Sequence, residues 1–192
     1  FGALFPGTYD IVVRDAFGCE ATTTVTVGAI SGVVIDGVVS TDVTCNGGTD
    51  GELTITASGG TPPYEYSSDG GAIFGPGATI TGLAAGTYDI VVRDATGCLQ
   101  TTTADVNEPS LITIDAAVVT DASCFGDADG EFVLTVSGGT PGYNYSNNAG
   151  VSFQVSPTFT GLTAGTYDLV IEDASGCTIT ETATVGEPLP MA

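Results

Sequence analysis

Apolar and polar positions alternate along Gly86-Thr-Tyr-Asp-Ile-Val-Val-Arg93, with Tyr88, Ile90 and Val92 on one side and Thr87, Asp89, Val91 and Arg93 on the other. A period of two predicts a strand with one buried face. Asp94-Ala-Thr-Gly97 then predicts a tight hairpin turn, and Cys98 opens the return strand. The same stretch begins at Gly7, Gly86 and Gly165, 79 residues apart each time. The chain therefore reads as a tandem array.

Residues 30–108 and 109–187 align without an insertion. In the second of these copies the pattern predicts strands at Leu111–Thr120, Glu131–Ser137, Tyr143–Ser146, Val151–Val155, Thr158–Leu162, Thr166–Asp173 and Cys177–Val185. Seven short strands with Gly and Pro turns between them predict an all-β protein of tandem immunoglobulin-like β-sandwich repeats. Tyr88 and Tyr167, just past a turn, are placed like the tyrosine corner of such sandwiches. Residues 1–29 are expected to supply only the last two strands of a truncated repeat, at Thr8–Asp15 and Cys19–Val27, and residues 188–192 to open the next linker.

Composition adds a setting. Of 192 residues, 23 are acidic, two are Arg and none is Lys or His, giving a formal net charge of −21. Such a surface repels nucleic acid and anionic membranes, and no apolar run is long enough to span a bilayer. Neither nucleic-acid binding nor membrane insertion is expected. Five cysteines at fixed repeat positions, in a chain rich in turns, point to an oxidising, extracellular compartment.

Candidate chemistry is sparse. General acid–base and nucleophilic mechanisms lean on His, Lys or an activated Cys, and here the first two are missing and the third sits in repeated turns. No enzyme is expected. Asp127, Asp129 and Glu131, with Asp50 and Glu52 one repeat earlier, resemble part of a calcium loop, so calcium is the one candidate cofactor. Asp-Gly is equally a plain turn signal. Alternating Thr at 178, 180, 182 and 184 reads as a solvated strand face. Tyr64 with Tyr66, and Tyr143 with Tyr145, read as core tyrosines whose hydroxyls reach the rim. Asn144-Tyr-Ser146 is a formal glycosylation sequon.

The cysteines allow two pairings. The ordinary expectation joins Cys45 to Cys98 and Cys124 to Cys177, each within one repeat. An odd number of strands instead puts the two cysteines of a repeat at opposite poles, about 30 Å apart for a strand of about nine residues, whereas a disulfide needs Cα atoms within about 7 Å. Stacked end to end, the loop of one repeat would meet the turn of the next, joining Cys45 to Cys177. That count requires Val151–Val155 to be a strand; if it is a loop, the within-repeat pairing is expected.

Four linked motifs carry a family resemblance: Thr44-Cys-Asn-Gly-Gly-Thr-Asp-Gly51, Ser58-Gly-Gly-Thr-Pro-Pro-Tyr-Glu-Tyr66, Gly82-Leu-Ala-Ala-Gly-Thr-Tyr-Asp89 and Asp94-Ala-Thr-Gly-Cys98. Together the chain resembles the SprB-type repeat of giant cell-surface adhesins in gliding Bacteroidetes. One departure is that Ser67-Ser68 and Asn147-Asn148 stand where the family pattern has an aromatic. The resemblance implies export to the cell surface and a part in adhesion or gliding. The expected function is a structural repeat of an adhesin or filament stalk. Its expected partners are neighbouring repeats of the same chain, with surface polysaccharide or other filament subunits as further candidates. The alternative is a calcium-dependent or carbohydrate-binding module repeated for avidity.

Overall fold

The structure is a computed structural model that describes residues 4–29 and 31–191. Residues 1–3, 30 and 192 lie outside the described residues, and with them the first residues expected of the repeats at 1 and 30. All regular structure among the described residues is strand. The order is β1 (Gly7–Arg14), β2 (Glu20–Val27), β3 (Val33–Thr41), β4 (Gly51–Gly59), β5 (Glu65–Ser67), β6 (Thr79–Leu83), β7 (Gly86–Arg93) and β8 (Leu99–Val106). It continues with β9 (Thr113–Thr120), β10 (Gly130–Ser137), β11 (Asn144–Ser146), β12 (Thr158–Leu162), β13 (Gly165–Glu172) and β14 (Thr178–Val185).

By backbone packing the chain divides into two compact units. The first comprises Phe1–Val39, Thr54–Ala78 and Tyr88–Ala104; the second comprises Ser40–Leu53, Thr79–Thr87 and Asp105–Ala192. The second holds a complete sandwich. One of its sheets runs β12-β10-β9 and the other β11-β13-β14, all antiparallel. Their inner faces meet through Phe132 and Leu134 of β10, Phe159 and Leu162 of β12, Leu169 and Ile171 of β13, and Ala183 and Val185 of β14. Phe132 and Phe159 stack at a tilt, ring centroids 4.9 Å apart. Alternation explains this core: along β10 Gly130, Phe132 and Leu134 are buried, while Glu131 and Val133 are only half-buried. Burying Phe132 and Leu134 contributes about 1.5–3 kcal/mol each. Residues 33–106 repeat the two-sheet arrangement, in the orders β3-β4-β6 and β5-β7-β8. These are immunoglobulin-like β-sandwiches, and the tyrosine corner is present: Tyr167 Oη donates to the carbonyl of Thr163 at 2.8 Å.

The strand count differs from expectation. Val151–Val155 is not a strand, so β9 to β14 make six. The alternation of Val151, Phe153 and Val155 suggested one buried side, yet Val151 and Val155 are more than 80% exposed, at 83% and 81%. The segment is shaped by local bonds instead. Buried Ser146 Oγ accepts the Gly150 N–H at 3.0 Å, and Asn148 Oδ1 accepts the Ser152 N–H at 3.0 Å. These side chains offer the backbone an alternative to a ladder, and only Gln154 forms a single bridge, to Tyr145.

Losing that strand does not move the poles. β11 pairs with the far half of β13, Asn144 opposite Glu172, while β12 pairs with the near half of β10, Leu162 opposite Gly130. β11, its loop and β12 thus carry the chain across the sandwich once, doing the work expected of three strands. The number of crossings stays odd.

Candidate functional site

Cys45 lies in the loop between β3 and β4, and Cys177 closes the turn between β13 and β14. The two are joined as a disulfide, with Cα atoms 5.6 Å apart, inside the typical range. Cys19, Cys98 and Cys124 are free thiols among the described residues. The within-repeat pairing of Cys45 with Cys98 and Cys124 with Cys177 is therefore not formed. The sandwich of β9 to β14 shows why. β14 begins one residue after Cys177, and at its far end Gly186 O accepts the N–H of Ala122, two residues before Cys124. A strand of this length spans about 26 Å, far beyond the reach of a disulfide.

Each half of the bond is shaped by a carboxylate. In the loop, Asp50 Oδ1 accepts the Thr44 N–H at 3.0 Å and Asp50 Oδ2 accepts the Thr44 hydroxyl. Those bonds, the hydroxyl's foremost, hold the Asp50 carboxyl below its ordinary pKa. In the turn, Asp173 is buried at 2% exposure. Its Oδ2 accepts the Thr140 N–H at 2.7 Å, and its Oδ1 accepts those of Ser175 and Cys177 at 2.9 Å each. Burial pushes this carboxyl up, but the N–H groups of Thr140, Cys177 and Ser175 outweigh it, and the net shift is downward. Gly139 makes room for it: at φ +59° a Cβ there would lie 2.7 Å from Asp173 Oδ2. Cys177 is thus aimed by a buried carboxylate bonded to its own amide.

The linker between β8 and β9 folds back onto the loop that carries Cys45. Val43 N donates to Asn107 O at 3.0 Å, and Asn107 N donates to Asp42 Oδ1 at 2.8 Å. Glu108 Oε2 accepts the Gly47 N–H at 2.7 Å, and Asn46 Nδ2 donates to Pro109 O at 3.0 Å. The Glu-Pro linker is therefore bonded to the same loop that the disulfide ties to the β13–β14 turn. A cleft of about 280 Å³ beside the bond is lined by Pro109, Leu111, Ile112 and Ile179 among others.

The remaining candidate residues fall elsewhere. Among the described residues no three His, Cys, Asp or Glu side chains gather as a metal site. The Asp129 carboxylate turns back to accept the Ser123 N–H at 2.9 Å, Asp127 is exposed, and Glu131 sits half-buried on β10. Asp50 does in its loop what Asp129 does in the next, and Glu52 is half-buried on β4. Of the tyrosine pairs, Tyr64 and Tyr143 reach the rim, their hydroxyls donating to Gly59 O and Gly138 O at 2.5 Å each, while Tyr145 is buried in the core. Of the Thr on β14, those at 178, 180, 182 and 184 are exposed. Asn144, the sequon residue, lies on β11 opposite Glu172 of β13. Sequence reasoning missed Asp42, Glu108 and Asp173. Their signal was recurrence at the 79-residue period as Asp121, Glu187 and Asp94.

Residues 37–72 and 116–152 each match the family model of the SprB repeat. Both stretches are similar to the SprB repeat. The loop cysteines Cys45 and Cys124 lie inside the matched segments, and the turn cysteines Cys98 and Cys177 lie outside them. No curated protein sequence matches the chain. Among solved structures the chain is similar to the eight N-terminal immunoglobulin domains of Down syndrome cell adhesion molecule, at 15% identity and a TM-score of 0.43, covering 96% of this chain and 28% of that one. It is also similar to a C-terminal fragment of intimin solved with the intimin-binding domain of its translocated receptor, at 17% identity and a TM-score of 0.42, covering 80% and 64%. A third is the insect immune protein hemolin, at 14% identity and a TM-score of 0.39, covering 94% and 56%. The chain spans less than two thirds of each of these solved chains.

Proposed function

We propose that these SprB-like repeats are structural repeats of a long extracellular adhesin or filament stalk, spacing a binding tip from a cell surface, and that adhesion or gliding motility is the process they serve. In this reading residues 30–108 and 109–187 are successive repeats, and their neighbours in the chain are their main partners. The observation that carries it is the covalent bond across the linker, Cys45 to Cys177. A binding module repeated for avidity works on any tether. A stalk must transmit load from one repeat to the next, and a disulfide spanning the junction does that without relying on noncovalent packing. The formal charge of −21 keeps such a chain soluble and apart from its copies. A disulfide also requires the oxidising compartment that a surface protein meets.

The test is peptide mapping without reductant. Trypsin has only Arg14 and Arg93 to cut at, so cleavage at Asp and Glu is the practical choice. Recovery of the Cys45 peptide joined to the Cys177 peptide is expected. Recovery of Cys45 joined to Cys98, or of both as free thiols from protein kept oxidising, would overturn the clamp.

A further inference from the structure

Three cysteines repeat the positions of the bonded pair without being bonded, Cys19 of the β1–β2 turn among them. Cys124 occupies in the β9–β10 loop the place Cys45 has in the β3–β4 loop, and Cys98 occupies in the β7–β8 turn the place of Cys177. The open loop already has the shape of the closed one. Asp129 Oδ1 holds Ser123 N at 2.9 Å, as Asp50 Oδ1 holds Thr44 N at 3.0 Å. Glu187 Oε2 holds Gly126 N at 2.7 Å, matching Glu108 and Gly47. Gly186 N donates to Asp121 Oδ1 at 2.7 Å, matching Asn107 and Asp42 at 2.8 Å. The turn halves match too: Cys98 N donates to Asp94 Oδ1 at 2.9 Å, and Cys177 N to Asp173 Oδ1 at 2.9 Å.

We infer that Cys124 is the open half of a second clamp, and that its partner is the turn cysteine of a further repeat joined through Glu187-Pro188. Cys98 is the corresponding turn half for the loop cysteine of a repeat placed before it. This rests on the stalk reading and extends it. Formation of the bond oxidises two thiols to one disulfide, with two electrons and two protons passing to an oxidant of the extracellular thiol–disulfide kind. The consequence is mechanical. The ring closed by Cys45 and Cys177 and the ring begun at Cys124 overlap between residues 124 and 177, so in an array each disulfide ring interlocks with the next. Tension would then pass from bond to bond, with only the short stretches from a turn cysteine to the next loop cysteine left to stretch.

The experiment extends the full chain by joining a copy of residues 109–187 directly after Glu187, which restores the Glu-Pro linker. The added copy carries C124S and T180S so that its peptides are distinct. Mapping without reductant should recover two cross-linked pairs, Cys45 with Cys177 and Cys124 with the turn cysteine of the added copy. Maleimide should label Cys124 in the original chain and lose at least tenfold in labelling in the extended one. If Cys45–Cys177 forms while Cys124 stays equally reactive in both chains, or bonds to Cys19 or Cys98, the second clamp is wrong and the stalk reading stands. If neither bond forms, both fall.

Discussion

β1 and β7 have the same eight residues, Gly-Thr-Tyr-Asp-Ile-Val-Val-Arg, and form the same antiparallel hairpins with β2 and β8, yet they differ in burial. Ile90, Val91 and Val92 of β7 are buried, at 0%, 5% and 0% exposure, whereas Val12 and Val13 of β1 are 52% and 65% exposed. The arginine at the end shows the same split. Arg14 pairs across its own hairpin with Glu20, while Arg93 reaches Glu65 of β5 at 3.0 Å and lies 4.1 Å over the Phe74 ring. Local sequence therefore specifies the hairpin and its register. Stability comes from the strands set against it, in keeping with the marginal stability of lone hairpins.

Truncating a buried side chain of β7 and an exposed one of β1 should expose that difference. Ile90→Ala removes a fully buried side chain and is expected to cost about 2–5 kcal/mol, whereas Val13→Ala should stay within about 0.5 kcal/mol; denaturant melts of each variant measure both. Equal losses would mean that β1 is packed as β7 is. The turn cysteines come next. Cys177→Ser should cost about 2–4 kcal/mol through loss of the closed ring, and Cys19→Ser, at a free and exposed thiol, close to nothing.

Acid sensitivity is a third comparison. Asp15 Oδ1 bonds only its own turn, through Phe17 N and Cys19 N at 2.9 Å. Asp94 bonds its turn and, through Oδ2, Thr61 N from the neighbouring Gly-Gly-Thr loop at 2.9 Å. Burial raises the Asp94 pKa, but the Thr96 hydroxyl and the Thr61, Cys98 and Thr96 amides outweigh it and set it at about 2. An unfolded Asp titrates near ~3.9. Between these values the unfolded chain binds more protons, so the Asp94 contribution is complete above about pH 4 and is lost as pH falls toward about 2. The melting temperature should drop through that window, and Asp94→Asn should flatten the drop. A profile unchanged by Asp94→Asn would contradict the assignment. Smallest of all, Arg93→Ala should cost about 0.5–1 kcal/mol from the ring contact and a half-exposed ion pair, and Arg14→Ala less.

Much of this was legible in the sequence, for a physical reason. Alternation at Tyr88, Ile90 and Val92 gave the hairpin, and the 79-residue period gave the array, because both are local or self-repeating signals. Val151–Val155 misled because its alternation is real but its backbone is captured by Ser146 and Asn148, whose side-chain bonds leave no trace in hydropathy. The bonds of Asp42 and Glu108 left only their recurrence as Asp121 and Glu187 for a signal, because an exposed acidic residue at a strand end or beside a Pro looks solvated until its acceptor atoms are placed. The poles came out correctly from a wrong strand count, since β11 and β12 share one crossing.

The central claim is that Cys45–Cys177 carries load across the linker, and pulling single molecules from their ends tests it directly. In the oxidised chain the 132 positions that separate the two cysteines are bypassed by the bond and cannot extend. At about 3.3–3.6 Å per residue, reductant should release roughly 450 Å more contour length on full unfolding. The same length with and without reductant would show that the bond does not bear the load.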